Sequence, residues 1–120
     1  MRMTEIDFEG QPPIDSYAPG GFRVAGTWHE GSLILLPDGL RTFPGTLDRS
    51  ALTPVLAAAA ELDVVLIGQG VEIAQLPGAM RTVLEQAGLG VEVMSTPSAC
   101  RTYNVLLTED RRVAALLLAI

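Results

Sequence analysis

The pattern of apolar and polar positions changes near residue 50, and the change separates two kinds of secondary structure. Up to about residue 45, short β-prone stretches alternate with turn residues: Pro12-Pro13, Pro19-Gly20-Gly21, Gly26, Gly31, Pro37-Asp38-Gly39 and Pro44-Gly45. This predicts short antiparallel strands near Phe22 to Val24, Thr27 to His29, Ser32 to Leu36 and Leu40 to Phe43. Pro37-Asp38-Gly39 suits a tight turn, because proline presets one backbone dihedral and glycine accepts positive φ. The last two of these strands should therefore form a hairpin.

Beyond residue 50, Leu52, Val55, Leu56, Ala59 and Leu62 recur at helical spacing with alanines between them, which predicts a helix over about 51–61. The continuous run Val64-Val65-Leu66-Ile67, ending at Gly68, reads as a strand buried on both faces and as the centre of the sheet. A second helix is expected to start with Pro77 as its first residue, to carry Met80, Val83, Leu84 and Ala87 on one face, and to close at Gly88. Val91 to Met94 reads as a further strand. Thr96 is expected to cap a third helix whose first residue is Pro97, running to about Thr108 with Ala99, Tyr103 and Leu106 inward. Val113 to Ile120 suits helix or strand by periodicity. Strand is expected, since the chain leaving the third helix must return to the sheet. The result is an α/β domain over residues 1–120, an N-terminal antiparallel β-meander followed by three α-β units, with no linker or repeat.

Composition narrows the function classes. A hydrophobic fraction of 48% with 18% charged residues belongs to a globular chain, and 120 residues suffice for one core. The net charge of −6 is spread along the chain, which reads as a solubility feature. All eight basic residues are arginines, and only Arg111 and Arg112 are adjacent, so no basic stripe offers itself to nucleic acid. Glu5, Asp7, Glu9 and Asp15 interrupt the region where an export signal would lie, and the apolar run Val113 to Ile120 is far shorter than the roughly 20 residues of a membrane-crossing helix. One cysteine, Cys100, fits a reducing compartment. A cytoplasmic location and no membrane span are the expectation.

Candidate chemistry concentrates in Thr96-Pro97-Ser98-Ala99-Cys100-Arg101-Thr102-Tyr103-Asn104, where polar groups crowd a turn from strand into helix. Open α/β sheets bind ligands at such turns, and the free N–H groups of a helix start favour an anion. Gly68-Gln69-Gly70 ends the preceding strand. If the two strands are parallel neighbours, Gly68, Gln69, Gly70, Thr96, Cys100, Arg101, Tyr103 and Asn104 frame one crevice. The favoured alternative is that Thr96 caps, Tyr103 packs, and Arg101 and Asn104 tie neighbouring loops, since capping ordinarily explains polar residues at a helix start. Gly68-Gln69-Gly70 is no dinucleotide fingerprint, because Ile73 stands where a third glycine belongs.

Cys100, near a helix start, could be a reactive thiol or a buried small hydrophobe, and the lone His29 is not placed as its base. One histidine, one cysteine and dispersed carboxylates make no metal site, and Glu109-Asp110 falls in a turn where solvated charge is ordinary. Trp28 is either an exposed anchor for a partner or a half-buried core side chain. No cofactor, metal or catalytic set is expected, and the chain is not expected to be an enzyme.

Gly20-Gly21-Phe22-Arg23-Val24, Gly31-Ser32 leading to Pro37, Leu66-Ile67-Gly68-Gln69-Gly70 and Ala99-Cys100-Arg101-Thr102-Tyr103-Asn104-Val105-Leu106 resemble, in this order, the Mth938-like family of conserved uncharacterised proteins of the DUF498 type. The resemblance covers nearly the whole chain from about residue 5. It implies a three-layer α/β fold with a central mixed sheet and no established activity or cofactor. A mitochondrial member of the family is an assembly factor for respiratory complex I, acting with a partner assembly protein, and bacterial members are encoded near membrane-insertion machinery. The partners implied are complex I subunits or assembly factors, or that machinery. Where the family commonly has threonine between the two glycines, this chain has Gln69, so a ligand contact through that hydroxyl would be lost. The expectation is a non-enzymatic interaction or assembly module, with a small-anion or small-molecule crevice at the C-terminal ends of the parallel strands as the alternative.

Overall fold

The computed structural model describes residues 11–71 and 76–120. Three strands, β1 (Ile14–Ala18), β2 (Gly21–Val24) and β3 (Thr27–Glu30), form an antiparallel sheet of their own. A second sheet holds β4 (Ser32–Leu36), β5 (Gly39–Phe43), β6 (Val64–Gly68), β7 (Gly90–Met94) and β8 (Val113–Leu117) in the order β5-β4-β8-β6-β7. The meander is thus confined to the first three strands. The expected hairpin, β4 and β5 closed by Pro37-Asp38, belongs to the main sheet and pairs Leu36 with Gly39. β1 was not anticipated, because Ile14 is its one buried residue and the other four positions are exposed. With no apolar alternation to read, it declares itself only through its partners.

The helices are α1 (Arg49–Ala57), α2 (Gly78–Gln86) and α3 (Thr96–Thr108). The first helix is shorter than periodicity implied: its last turn tightens into a 3-10 turn at Ala59–Glu61, and Asp48 caps its start by accepting from the Ala51 N–H at 3.1 Å. Two cap assignments also shift by one position. Pro77 is the N-cap of α2, and the N-cap of α3 is Ser95, whose hydroxyl accepts from Ser98 N–H, so Thr96 is already helical. Thr96 is drawn inside because its hydroxyl has a tertiary use described below.

β6 pairs in parallel with β7 on one side and β8 on the other, and β8 pairs antiparallel with β4. The middle of the sheet is therefore β8, and β6 lies one place from it. Both are buried along their whole length, and side-chain alternation divides them between two cores. Val65, Ile67, Ala114 and Leu116 face α1 and α2, with Leu52, Val55 and Leu84. Val64, Leu66, Val113, Ala115 and Leu117 face α3 and the small sheet, with Ala99, Tyr103, Phe22 and Val24. Burial of both faces explains why an Ala- and Leu-rich segment is a strand against its helical propensity.

Connection handedness accounts for the helices' placement. The crossover from β6 to β7 and the one from β7 to β8 travel in opposite directions across the sheet. Right-handed crossovers then put α2 and α3 on opposite faces, as found. At the other end of the strands, Arg112 donates to the Asp63 carboxylate at 2.8 Å and holds that carboxyl below its usual range.

Candidate functional site

The two turns singled out from sequence do meet. β6 and β7 are parallel neighbours whose connections leave toward opposite faces, so Gly68-Gln69-Gly70 and Ser95-Thr96 flank the position where doubly wound sheets open a crevice. Here the turns are stitched together. The Gly70 N–H donates to the Thr96 hydroxyl at 2.8 Å, the Thr96 N–H donates to the Gly70 carbonyl at 2.7 Å, and the Gln69 N–H donates to the Met94 carbonyl at 2.9 Å. The Thr96 hydroxyl in turn donates to the Leu118 carbonyl at 2.7 Å, while Leu118 N–H reaches the Gly68 carbonyl at 2.9 Å.

Close packing closes the same point. A Cβ added to Gly68 would stand 3.0 Å from Thr96 Cα and 3.1 Å from both Ala99 Cβ and Leu117 Cδ2. Glycine is needed there for close approach, and at Gly70 for a φ of +92°. Residues 72–75, which include Ile73, lie outside the described residues.

The helical half of the motif is equally occupied. Asn104 makes a paired contact with one residue of the small sheet: its Oδ1 accepts from Ile14 N–H and its Nδ2 donates to the Ile14 carbonyl, each at 2.8 Å. The Tyr103 hydroxyl donates to the Pro12 carbonyl at 3.1 Å from a ring that is wholly buried, and burial raises its pKa beyond the usual phenol range. Tyr103 and Asn104 thus tie the start of β1 to α3. Cys100 is buried at 4% exposure, and loss of solvent pushes its thiol up to about 11, against a smaller opposing pull from Arg101. A thiol so placed carries little thiolate at neutral pH. Arg101 is exposed and donates to the Ser98 hydroxyl at 3.2 Å. Among the described residues, no buried side-chain nitrogen or oxygen lacks a hydrogen-bond partner.

Trp28 is half-buried: its ring lies over Gly21, where a Cβ would stand 2.8 Å from Trp28 Cζ2, and its Nε1 donates to Glu30 at 3.2 Å. His29 is also half-buried and pairs across the small sheet with Phe22. Sequence reasoning passed over a sizeable hollow with an apolar floor. It has a volume of about 330 Å³ and lies between β5 and the first half of α1, over Ile34, Phe43, Pro44, Ala51 and Pro54. Pro54, a proline inside α1, lines it, and nothing in the local sequence pattern announces the hollow.

Residues 14–118 match the model of a family described as a protein of unknown function, DUF498/DUF598. The chain belongs to this family. An uncharacterized protein of Rhodobacter capsulatus is 45% identical over 118 residues, covering 98% of this chain and 93% of that protein. The zebrafish protein named NADH dehydrogenase [ubiquinone] 1 alpha subcomplex assembly factor 3 is 29% identical over 88% of this chain, which spans 63% of that relative's length. Among solved structures, one described as an outer membrane protein from Bartonella henselae superposes with a TM-score of 0.89 at 42% identity, covering 94% of this chain and 98% of that one. A Bordetella pertussis protein described as an Mth938-like domain superposes with a TM-score of 0.69 at 26% identity, over 90% and 85% of the two chains. No helix among the described residues is long and apolar enough to cross a membrane.

Proposed function

We propose that this chain is a non-enzymatic interaction module of the cytoplasm that assists assembly of a membrane complex, with respiratory complex I subunits, assembly factors or insertion machinery as its partners. The observation that carries the reading is the kinship with assembly factor 3 across 88% of the chain. Support comes from the stretch Thr96 to Asn104, where Thr96, Tyr103 and Asn104 are committed to holding the fold. Thr96 joins the two turns, Asn104 and Tyr103 hold β1, and Cys100 is sealed. A catalytic site would present preorganised groups toward a cavity; here those groups point at backbone.

The reading is tested by native affinity purification with cross-linking and mass spectrometry, together with complex I quantification in a deletion strain. Enrichment of complex I or insertion-machinery subunits and a fall in assembled complex are expected. Recovery of the bare protein with unchanged complex I would reject it.

A further inference from the structure

The two edges of the main sheet are treated differently. On β7, the bonds from Gly90 N–H to Asp63 and from Gln69 N–H to the Met94 carbonyl turn the backbone of Gly90, Glu92 and Met94 inward. The backbone groups of Val91 and Val93 therefore point away from β6, and Arg81 reaches across from α2 to donate to the Val91 carbonyl at 3.4 Å. An edge so capped is poorly available for further pairing.

On β5 the two-residue turn makes Leu36 and Gly39 a hydrogen-bonded pair, so the alternation of an antiparallel ladder turns the backbone of Leu40 and Thr42 outward. Among the described residues no strand lies beyond β5. Arg41, the cation of this strand, is held by Asp38 at 3.3 Å. Beside this open edge lies the hollow over Ile34, Phe43, Pro44, Ala51 and Pro54, on the face toward α1. Exposed carboxylates stand near both ends: Asp38 at the start of β5 and Asp48 at the hollow's rim.

An unpaired row of N–H and C=O groups is matched by an extended chain, and a hollow on one face accepts one of that chain's alternate side chains. We propose that β5 is a strand-addition site for an extended segment of a partner protein. That segment pairs with Leu40 and Thr42 and sets a bulky apolar side chain into the hollow. A basic residue toward one end meets Asp48, since Asp38 is already paired with Arg41, and the net charge of −6 attracts a basic segment in general. This rests on the reading of the chain as an interaction module and names the surface it uses.

The test titrates the isotope-labelled full chain with a synthetic peptide that alternates valine and phenylalanine with threonine and carries lysine at both ends. Saturable NMR shifts over residues 40–43 and at Ser50, Ala51 and Pro54, with slowed amide exchange at Leu40 and Thr42, are expected. Thr42→Pro removes an outward N–H without touching the β4 pairing, and Ser50→Phe plugs the hollow from an exposed helical position. Each should weaken binding by about threefold to tenfold, the range of one ordinary contact. A peptide of the same sequence with glutamate in place of the terminal lysines should bind more weakly.

Absence of saturable shifts at these residues overturns the proposal. So does protection of Leu40 and Thr42 without peptide that is lost on dilution, which would mean a second copy occupies the edge, or lost on deleting residues 1–10, which would mean the chain's own start does. If cross-linked partners are recovered equally by wild type and both variants, the edge is wrong and the interaction reading stands. If wild type recovers none, the interaction reading itself fails.

Discussion

Cys100 shows what a residue in a strand-to-helix turn can and cannot be. Near a helix start a thiol is ordinarily favoured as thiolate, yet here desolvation outweighs that and moves its pKa from 9.0 up to about 11. Alkylation of the native protein at pH 8 should therefore be slow and follow global opening. The same shift makes a pH prediction whose sign is determined. In the unfolded chain the thiol ionises first, so the unfolded state binds fewer protons between pH 9 and 11, and stability falls with rising pH by roughly 1.4 kcal/mol per unit for this group. Below about pH 9 the contribution is constant. Tyr103, raised by burial in the same way, adds to the loss at still higher pH. Urea unfolding of wild type and Cys100→Ala at pH 8 and pH 10 checks this: the variant should lose less stability over the interval.

At the scale of elements, the start of α3 separates two roles that sequence reasoning gave to one residue. Ser95 caps, with its hydroxyl accepting from Ser98 N–H, whereas Thr96 joins the ends of β6, β7 and β8. Ser95→Ala should cost about 1 kcal/mol, an ordinary cap. Thr96→Ala should cost more, about 2–4 kcal/mol, because it strands both the Gly70 N–H and the Leu118 carbonyl in a closed site. Denaturant midpoints with unchanged slopes measure both. Equal losses would mean that Thr96 serves only the helix. The identity of the cap was not legible because Ser95 and Thr96 are both good caps and both precede Pro97. The choice depends on which hydroxyl β8 can reach.

On the scale of the whole molecule, α3 and the segment after β8 bind the small sheet to the large one. Asn104 and Tyr103 hold the chain at Pro12 and Ile14 from the helix side. From the other side, Leu118 bonds Gly68 and Thr96, Ala119 N–H donates to the Ser32 hydroxyl at 2.9 Å, and the Ile120 carbonyl accepts from Gly20 N–H at 2.8 Å. Removing Ile120, the residue of this segment that bonds the small sheet, should therefore loosen that sheet selectively. Hydrogen exchange is expected to accelerate across β2 and β3 more than across β6 and β8, with a lowered melting temperature. Uniform acceleration would mean that the tail supports the molecule only generally.

Among the described residues, patterning along the chain by itself determined six of the eight strands, the three helices and the β4–β5 hairpin, and the need for the chain to return to the sheet after α3 added the strand at Val113 to Leu117. The first group follows from local rules: turn residues, helical spacing, and a branched apolar run ending at a glycine, whereas the Ala- and Leu-rich last strand goes against its local propensity. Tertiary structure alone decided that Ile14–Ala18 is a strand, that β8 and not β6 is the middle of the sheet, and that the meander stands apart from it. It also decided the fate of the polar motif from Thr96 to Asn104. Residue types announce hydrogen-bonding capacity, but whether that capacity faces a ligand or the protein's own backbone depends on contacts as distant in sequence as Asn104 and Ile14. Such pairings are set by how the two sheets pack around α3, and no window of sequence contains them.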